Sequence, residues 1–461
     1  MLFLITTVSL MAVALYNGFP LVENDSAAYI EQAIYPHFTP ERTPFYGMFL
    51  GISSLHSSLW FTVLVQCSML AYLLLKFIFR IQRISLKPED GDADGFNLGL
   101  VAVIAIISFT CVSWVVSYLM PDVFGGILLL ATLLFISENK RSSQSIYLLF
   151  IFIAMLMHNS HFPILVLFSL ILLVAALVKK QPQLRNSSVM LLGVCVMTWG
   201  VMCSMNAIKK HGFTFSRGRD IMLTAKLAET GILNLYLDDN CGKKPSRMCD
   251  LKASIPGNIT EFLTSGEGPV YKMGGWDSSY VTYSTIVHDV FTTPRYVGMF
   301  AQKAVVGTLK QVVQIQCADK VSLQGKETEA FVKVKKYFAD ELPTYSTSLQ
   351  NTGALSGSAS NFVYYLFFAL SSLWMLLYYH RVMSRELAFM YGCLLLFLLV
   401  NAFVTASLSA ITYKFQYRVA WLLPAANSIV MIRHYYNKFQ STNSKFQSVD
   451  PNTQSSETQV A

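Results

Sequence analysis

The chain has 461 residues, of which 53% are hydrophobic and 13% charged, whereas a soluble domain carries roughly a quarter charged residues. Its net charge of +8 would suit nucleic acid, but the basic residues stand in short loops between apolar runs, where they mark membrane topology instead. These features set aside a soluble enzyme and a nucleic-acid binder, and predict an all-α polytopic membrane protein with about ten transmembrane helices.

The first apolar run, Leu2 to Tyr16, lacks the basic start and Ala-x-Ala pattern of a cleaved signal sequence and is expected to be the first helix. A polar stretch, 21–47, follows within a first outer loop, 17–57. The second helix covers about 59–81 and leads through Arg83 to Lys87 and a charged hinge, KPEDGDADG. Helices three to seven are expected near 98–118, 122–136, 146–157, 162–178 and 188–207, completing a membrane module over 1–208. Residues 209–361 combine aromatic, charged and turn residues, predicting a mixed soluble domain between helices seven and eight. Within it Thr293-Pro294 starts a helix, with Thr as N-cap and Pro in the first turn. Its Val297, Phe300, Ala304, Val305, Leu309, Val312 and Val313 suit either a core-facing helix or one lying on a bilayer. Three further helices are expected within 362–433, at 362–379, 387–408 and 419–432, and the Ser-, Asn-, Gln- and Thr-rich 434–461 is expected to be a disordered cytoplasmic tail.

Short-loop charges orient the bundle. With the N-terminus inside, fourteen Lys and Arg fall on inner loops and the proximal tail: Lys76, Arg80, Arg83, Lys87, Lys140, Arg141, Lys179, Lys180, Arg185, Arg381, Arg385, Arg433, Lys438 and Lys445. Three, Arg42, Lys414 and Arg418, fall on outer ones. This places residues 21–47, Asp122, the His158–His161 turn, the large polar segment and Arg418 on one outer face. There Cys241 and Cys249 could close a short disulfide loop, leaving Cys317 unpaired, while Cys111 is an ordinary small residue of an apolar run.

Several residues of that face could carry chemistry. Asp25, two residues after Glu23, could accept a proton from an attacking hydroxyl, or simply cap the helix starting at Ser26. Arg42, in Arg-Thr-Pro-Phe-Tyr-Gly with Tyr46, offers a planar fork for phosphate, or snorkels beside an interfacial Tyr. Asp122, after Pro121, is costly between apolar helices unless it faces water, a cation or a partner, or caps the fourth helix. His158 and His161 could be metal ligands, proton carriers or phosphate donors, or structural. Arg418, among Tyr413, Phe415 and Tyr417, could meet an anionic headgroup or anchor a helix end. The chain contains no P-loop, nucleophile-elbow or HExxH pattern.

Asn24-Asp25-Ser26-Ala27-Ala28-Tyr29, Arg42-x-Pro44-x-Tyr46 and Pro121-Asp122 together resemble the GT-C superfamily of integral membrane glycosyltransferases, over roughly residues 1–208. The protein mannosyltransferase and aminoarabinose transferase groups belong to it. The resemblance implies transfer of a sugar from a polyprenyl-phosphate donor to a glycan, lipid or protein acceptor at the periplasmic face of a bacterial inner membrane. It makes Asp25 the general base and assigns Asp122 to the donor site or a divalent-cation site. Arg42, Arg418 and His158 or His161 then hold the donor phosphate, with Glu23 and Tyr46 lining the site. The chain departs from the family pattern in two ways: Asp25 has no adjacent second acid, its nearest companion being Glu23, and the soluble segment lies between helices seven and eight, whereas many members carry theirs after the last one. The other reading is a non-catalytic transporter or assembly subunit for lipid-linked glycans.

Overall fold

The computed structural model describes residues 1–85, 95–210, 212–278, 280–317 and 321–448. Lys87, the rest of the hinge to Asp94, and the tail beyond Ser448 lie outside these. Among the described residues every regular element is a helix, apart from one isolated parallel bridge between Leu21 and Tyr118. The first apolar run is two helices, α1 (Leu2–Leu10) and α2 (Ala12–Asn17), and the loop region supplies α3 (Ser26–Ile34) and α4 (Phe45–Ser54). There follow α5 (Leu59–Ile84), α6 (Gly95–Phe109), α7 (Val112–Ser117), α8 (Val123–Ser137), α9 (Arg141–Met157), α10 (His161–Val178) and α11 (Pro182–Ile208). The polar segment contributes α12 (Arg219–Glu229), α13 (Ile232–Asn240), α14 (Arg247–Asp250), α15 (Ile259–Thr264), α16 (Pro269–Lys272), α17 (Tyr280–Thr292) and α18 (Pro294–Val312). It continues with α19 (Glu329–Tyr337), α20 (Leu342–Thr347) and α21 (Leu349–Thr352). The chain closes with α22 (Ser358–Val382), α23 (Arg385–Leu408), α24 (Tyr413–Ala420) and α25 (Leu422–Ser448).

Five of these, α5, α10, α11, α22 and α23, are long and apolar enough to cross a membrane, while α4, α6, α8 and α9 are apolar but shorter. The expectation of about ten uninterrupted spans therefore changes. The first, third and tenth predicted helices are each broken, at Met11, at Thr110-Cys111 and at Trp421. The last helix also runs on to Ser448, through the first part of the tail expected to be disordered.

At the centre stands α8, VFGGILLLATLLFIS, buried from Val123 to Ile136. A helix that is apolar on every side has no face to offer water and takes the middle of a bundle. Around it lie α5, α9, α23 and α24. The two ends of the bundle carry different groups. At one end Arg80 of α5 donates to the Ser137 carbonyl of α8 and stands 3.9 Å from Glu386 of α23. The opposite end gathers the first loop, Asp122, the His158–His161 turn and α24.

The polar segment divides in two, in place of the single mixed domain expected. Helices α12–α17 and the start of α18 enclose their own core of Ile221, Leu233, Phe262, Tyr283 and their neighbours. Residues 315–317 and 321–355 instead join the main core through Cys317, Val334, Phe338 and Tyr345. This second part straps the first loop down. Gln350 brackets Val22, accepting from its N–H at 3.1 Å and donating to its carbonyl at 2.6 Å. Lys333 of α19 pairs with Glu31 of α3 at 2.6 Å. Glu341 accepts from Ser58 Oγ and from the Leu59 N–H at the start of α5. A disulfide between Cys111 and Cys317 fastens the strap to the α6–α7 break, so Cys317 is not unpaired and Cys111 is more than a small core residue. Cys241 and Cys249 form the expected second bridge.

Candidate functional site

The site begins with two aspartates at helix starts that do not cap. Asp25 precedes α3 and Asp122 precedes α8, yet neither side chain accepts from its helix's N–H groups. Ser26 does the local work for α3, its Oγ accepting from the Glu23 N–H at 3.0 Å and donating to the Leu119 carbonyl. The Asp25 carboxylate turns outward and accepts from Arg42 Nη2 at 2.5 Å. The Arg42 guanidinium lies over the Tyr29 ring, 5.7 Å from its centroid, a cation–π contact that fixes its plane.

Asp122 turns inward instead. Its Oδ1 is 3.6 Å from Arg418 Nη1, an ion pair but longer than a hydrogen bond. Arg418 is completely buried. Its Nη2 donates to Ser160 Oγ at 3.0 Å and Asn401 Oδ1 at 3.3 Å, while Nε and Nη1 have no hydrogen-bond partner. Such a cation is costly in an apolar interior unless surrounded by acceptors. Room for it comes from Gly125 and Gly126 of α8. A Cβ on Gly125 would lie 3.1–3.2 Å from Arg418 Cδ, Cγ and Nε, and one on Gly126 would meet the Arg418 carbonyl at 3.2 Å. Burial pushes the Asp122 carboxyl above its ordinary value of 3.8, Arg418 and Lys414 pull it back, and Asp25 and Glu23 push it up. All four groups therefore act on one carboxylate.

The two histidines have complementary tautomers. His161 Nδ1 lies 2.7 Å from the Ala154 carbonyl, which only accepts, so Nδ1 holds the proton; the buried Nε2, without a partner, is a lone pair. His158 Nδ1 accepts the Ser160 N–H at 3.1 Å, so its proton is on Nε2. Burial, then Arg418, His161 and Arg42, hold the His158 imidazolium well below its usual range, keeping the ring neutral. Of the pair, His158 is the donor and His161 an acceptor, which removes His161 from the phosphate clamp expected of either.

Tyr46 also leaves the expected set. It is buried, its hydroxyl donating to Gln66 Oε1 at 2.7 Å and its ring 4.9 Å from that of Tyr29, so it supports the residue under Arg42 rather than a substrate. Glu23 is held 2.9 Å from Lys414. Among the described residues no three His, Cys, Asp or Glu side chains gather as a metal site, and His158 and His161 have no third ligand.

Sequence reasoning passed over Lys414, Asn401 and Ser160 as partners, together with Gly125-Gly126. Asn401 is a polar residue inside an apolar helix, a signal that could have been used. Beside Arg42 a cavity of about 10 Å³, lined by Thr39, Asn159, Met205, Phe215 and Arg217, has the room of one water. The arrangement offers an outward carboxylate, a donor imidazole and a buried guanidinium with free N–H groups, closed over in this conformation. No protein-family model, no curated protein and no solved structure matches the chain.

Proposed function

We propose that the protein is a multi-pass membrane glycosyltransferase that moves a sugar from a polyprenyl-phosphate donor to an acceptor hydroxyl at the outer, periplasmic face. The reading rests on one observation above all. Two carboxylates freed from capping stand at one end of the bundle, each paired with an arginine, and one of those arginines keeps unused donors.

The proposed step is displacement at the sugar's anomeric carbon. The acceptor oxygen forms a bond to that carbon as the bond to the lipid phosphate oxygen breaks, and the acceptor's proton passes to the Asp25 carboxylate. Negative charge develops on the departing phosphate, where the Arg418 guanidinium and the His158 Nε2–H would meet it. Asp122 keeps Arg418 aimed, and Arg42 does the same for Asp25. The acceptor class and the sugar belong to the same proposal and rest on the resemblance alone.

The test is Asp25→Asn, which keeps the shape of the side chain and removes its basicity. Sugar transfer in membranes carrying this variant should fall by about 10²–10⁴-fold, the usual contribution of a positioned base, at unchanged protein level and melting behaviour. Wild-type transfer by Asp25→Asn would remove the base assignment.

A further inference from the structure

Helix α18 is built inside out for water. At 3.6 residues per turn its side chains divide into three faces. Tyr296, Ala304, Gly307, Thr308 and Gln311 are buried. Gly307 rests against Ala406 of α23, and Gln311 exchanges two hydrogen bonds with Thr412, donating to its carbonyl at 2.7 Å and accepting from its N–H at 3.1 Å. The second face holds Val305, Val306, Leu309, Val312 and Val313, exposed by 58%, 46%, 67%, 36% and 66%. Lys303 and Lys310 form the third, both exposed, within about 60° of the apolar edge.

A helix at a water-facing surface buries its branched aliphatics and exposes its glycine, threonine and glutamine. From Ala304 to Val313 this one does the reverse, as a helix does when hydrocarbon is its solvent and small or polar residues make the protein contact, while Gly298 and Gln302 nearer its start are exposed. The exposed face continues that of α23, where Leu395, Leu399, Phe403 and Leu408 also point outward. No acid occurs between Pro294 and Val312, so no carboxylate of this helix would oppose contacts of the lysines with lipid phosphates, made with their stems along the apolar face and their ammonium groups in water. A second copy docked symmetrically on this face would bring like charges together.

We infer that α18 is seated in the outer leaflet of the membrane, with Val305, Leu309 and Val313 among the acyl chains. It anchors the helical unit formed by α12–α17 to the bilayer. Through Gln311 it also fixes Thr412, the residue before α24, and so the helix that carries Lys414 and Arg418. The inference uses the membrane reading of α22 and α23 but not the glycosyltransferase reading.

The full-length protein is reconstituted in phosphatidylcholine vesicles with a fluorophore on Leu309→Cys, Val313→Cys, Leu376→Cys of α22, or Lys243→Cys of the helical unit. The four free cysteines are buried, which directs the label to the new thiol. Nitroxide-labelled lipids and aqueous iodide then compete as quenchers. A helix lying about 5–10 Å into the interface should lose about half its Leu309 and Val313 emission to shallow nitroxides and little to iodide. Lys243→Cys should show the opposite, and Leu376→Cys should respond to deeper nitroxides. Leu309 behaving like Lys243 while Leu376 is quenched by lipid would overturn the proposal and leave the membrane reading standing. Protection of Leu309 from both quenchers would overturn it too, by showing a protein partner on the face. Loss of lipid quenching at Leu376 as well would remove the membrane reading and the inference with it.

Discussion

Arg418→Met orphans Asp122, and the cost can be worked from the structure. Methionine fills most of the arginine stem's space beside Gly125, so the packing change is small and the electrostatic one dominates. The carboxylate is then buried without its cation. The folded chain can keep it ionised and bear the desolvation cost, or protonate it; the cheaper choice sets the penalty. Protonation at pH 7 of a group whose ordinary value is 3.8 costs about 4 kcal/mol, at about 1.4 kcal/mol per pH unit. At pH 5 the same step costs below about 2 kcal/mol. The sign follows from linkage. A folded-state value raised above the unfolded one means that the folded chain binds the proton more tightly, so its stability falls as pH rises. Unfolding free energies from detergent titration of wild type and Arg418→Met should therefore diverge with pH, by up to about 4 kcal/mol at pH 7. The double variant Arg418→Met/Asp122→Asn should lose that slope. A deficit equal at pH 5 and pH 8, or a double variant as pH-dependent as the single one, would refute the pairing.

Gly125→Ala should cost about 1–3 kcal/mol by overpacking against a guanidinium stem that Ser160, Asn401 and Asp122 hold in place. Gly193→Ala, with open space around its Cβ, should leave the same detergent titration unchanged. Cys111→Ser and Cys317→Ser should each unlock the strap over the first loop, seen as faster proteolysis within 321–355; closing a loop with a sequence separation of 206 contributes up to about 5 kcal/mol in the chain-entropy model. Equal cleavage of oxidised wild type and both variants would count against that bridge. The Lys333 hydrogen bond lowers the Glu31 carboxyl below its ordinary 4.5, so the stability it gives is present above that value and lost as pH falls through the lowered one. Hydrogen exchange in α19 should therefore quicken in acid in wild type and change less in Lys333→Met.

The long helices were legible because their apolar runs have no other use: α5, α10, α11, α22 and α23 each contain the segment predicted for them. The breaks were not, because what makes them affordable is distant. At Met11, where α1 gives way to α2, the N–H groups of Val13 and Ala14 donate to Ser113 and Ser117 of α7, and Ser113 Oγ donates to the Leu10 carbonyl. Beside them the Leu21 N–H donates to the Ser117 carbonyl and the Leu119 N–H to that of Leu21. Two interrupted helices thus satisfy each other's backbone across about a hundred residues of sequence, as backbone away from water must. A serine in an apolar run carries no mark of that role. Gly47 and Gly51 of α4 were a readable signal left unused, since a Cβ on either would collide with Gln32 or Ala33 of α3 at 2.3–2.6 Å.

For the site, residue type was informative and partnership was not. Asp25 and Asp122 each stand before a helix, where capping is the ordinary expectation, and both carboxylates leave it for arginines 17 residues away and far along the chain respectively. What sequence does contain is the spacing of Lys414 and Arg418. Four residues apart on α24, they share one face of that helix, and the structure sets them against Glu23 and Asp122. One short helix therefore neutralises an acid of the first loop and an acid of the central bundle at once. Arg418 is completely buried, so a lipid headgroup reaches it only after something at this end gives way. Because both cations ride on α24, a withdrawal of that helix frees Glu23 and Asp122 together, while Asp25 stays on Arg42. The same helix is tied at its start, where Thr412 exchanges two hydrogen bonds with Gln311 of α18.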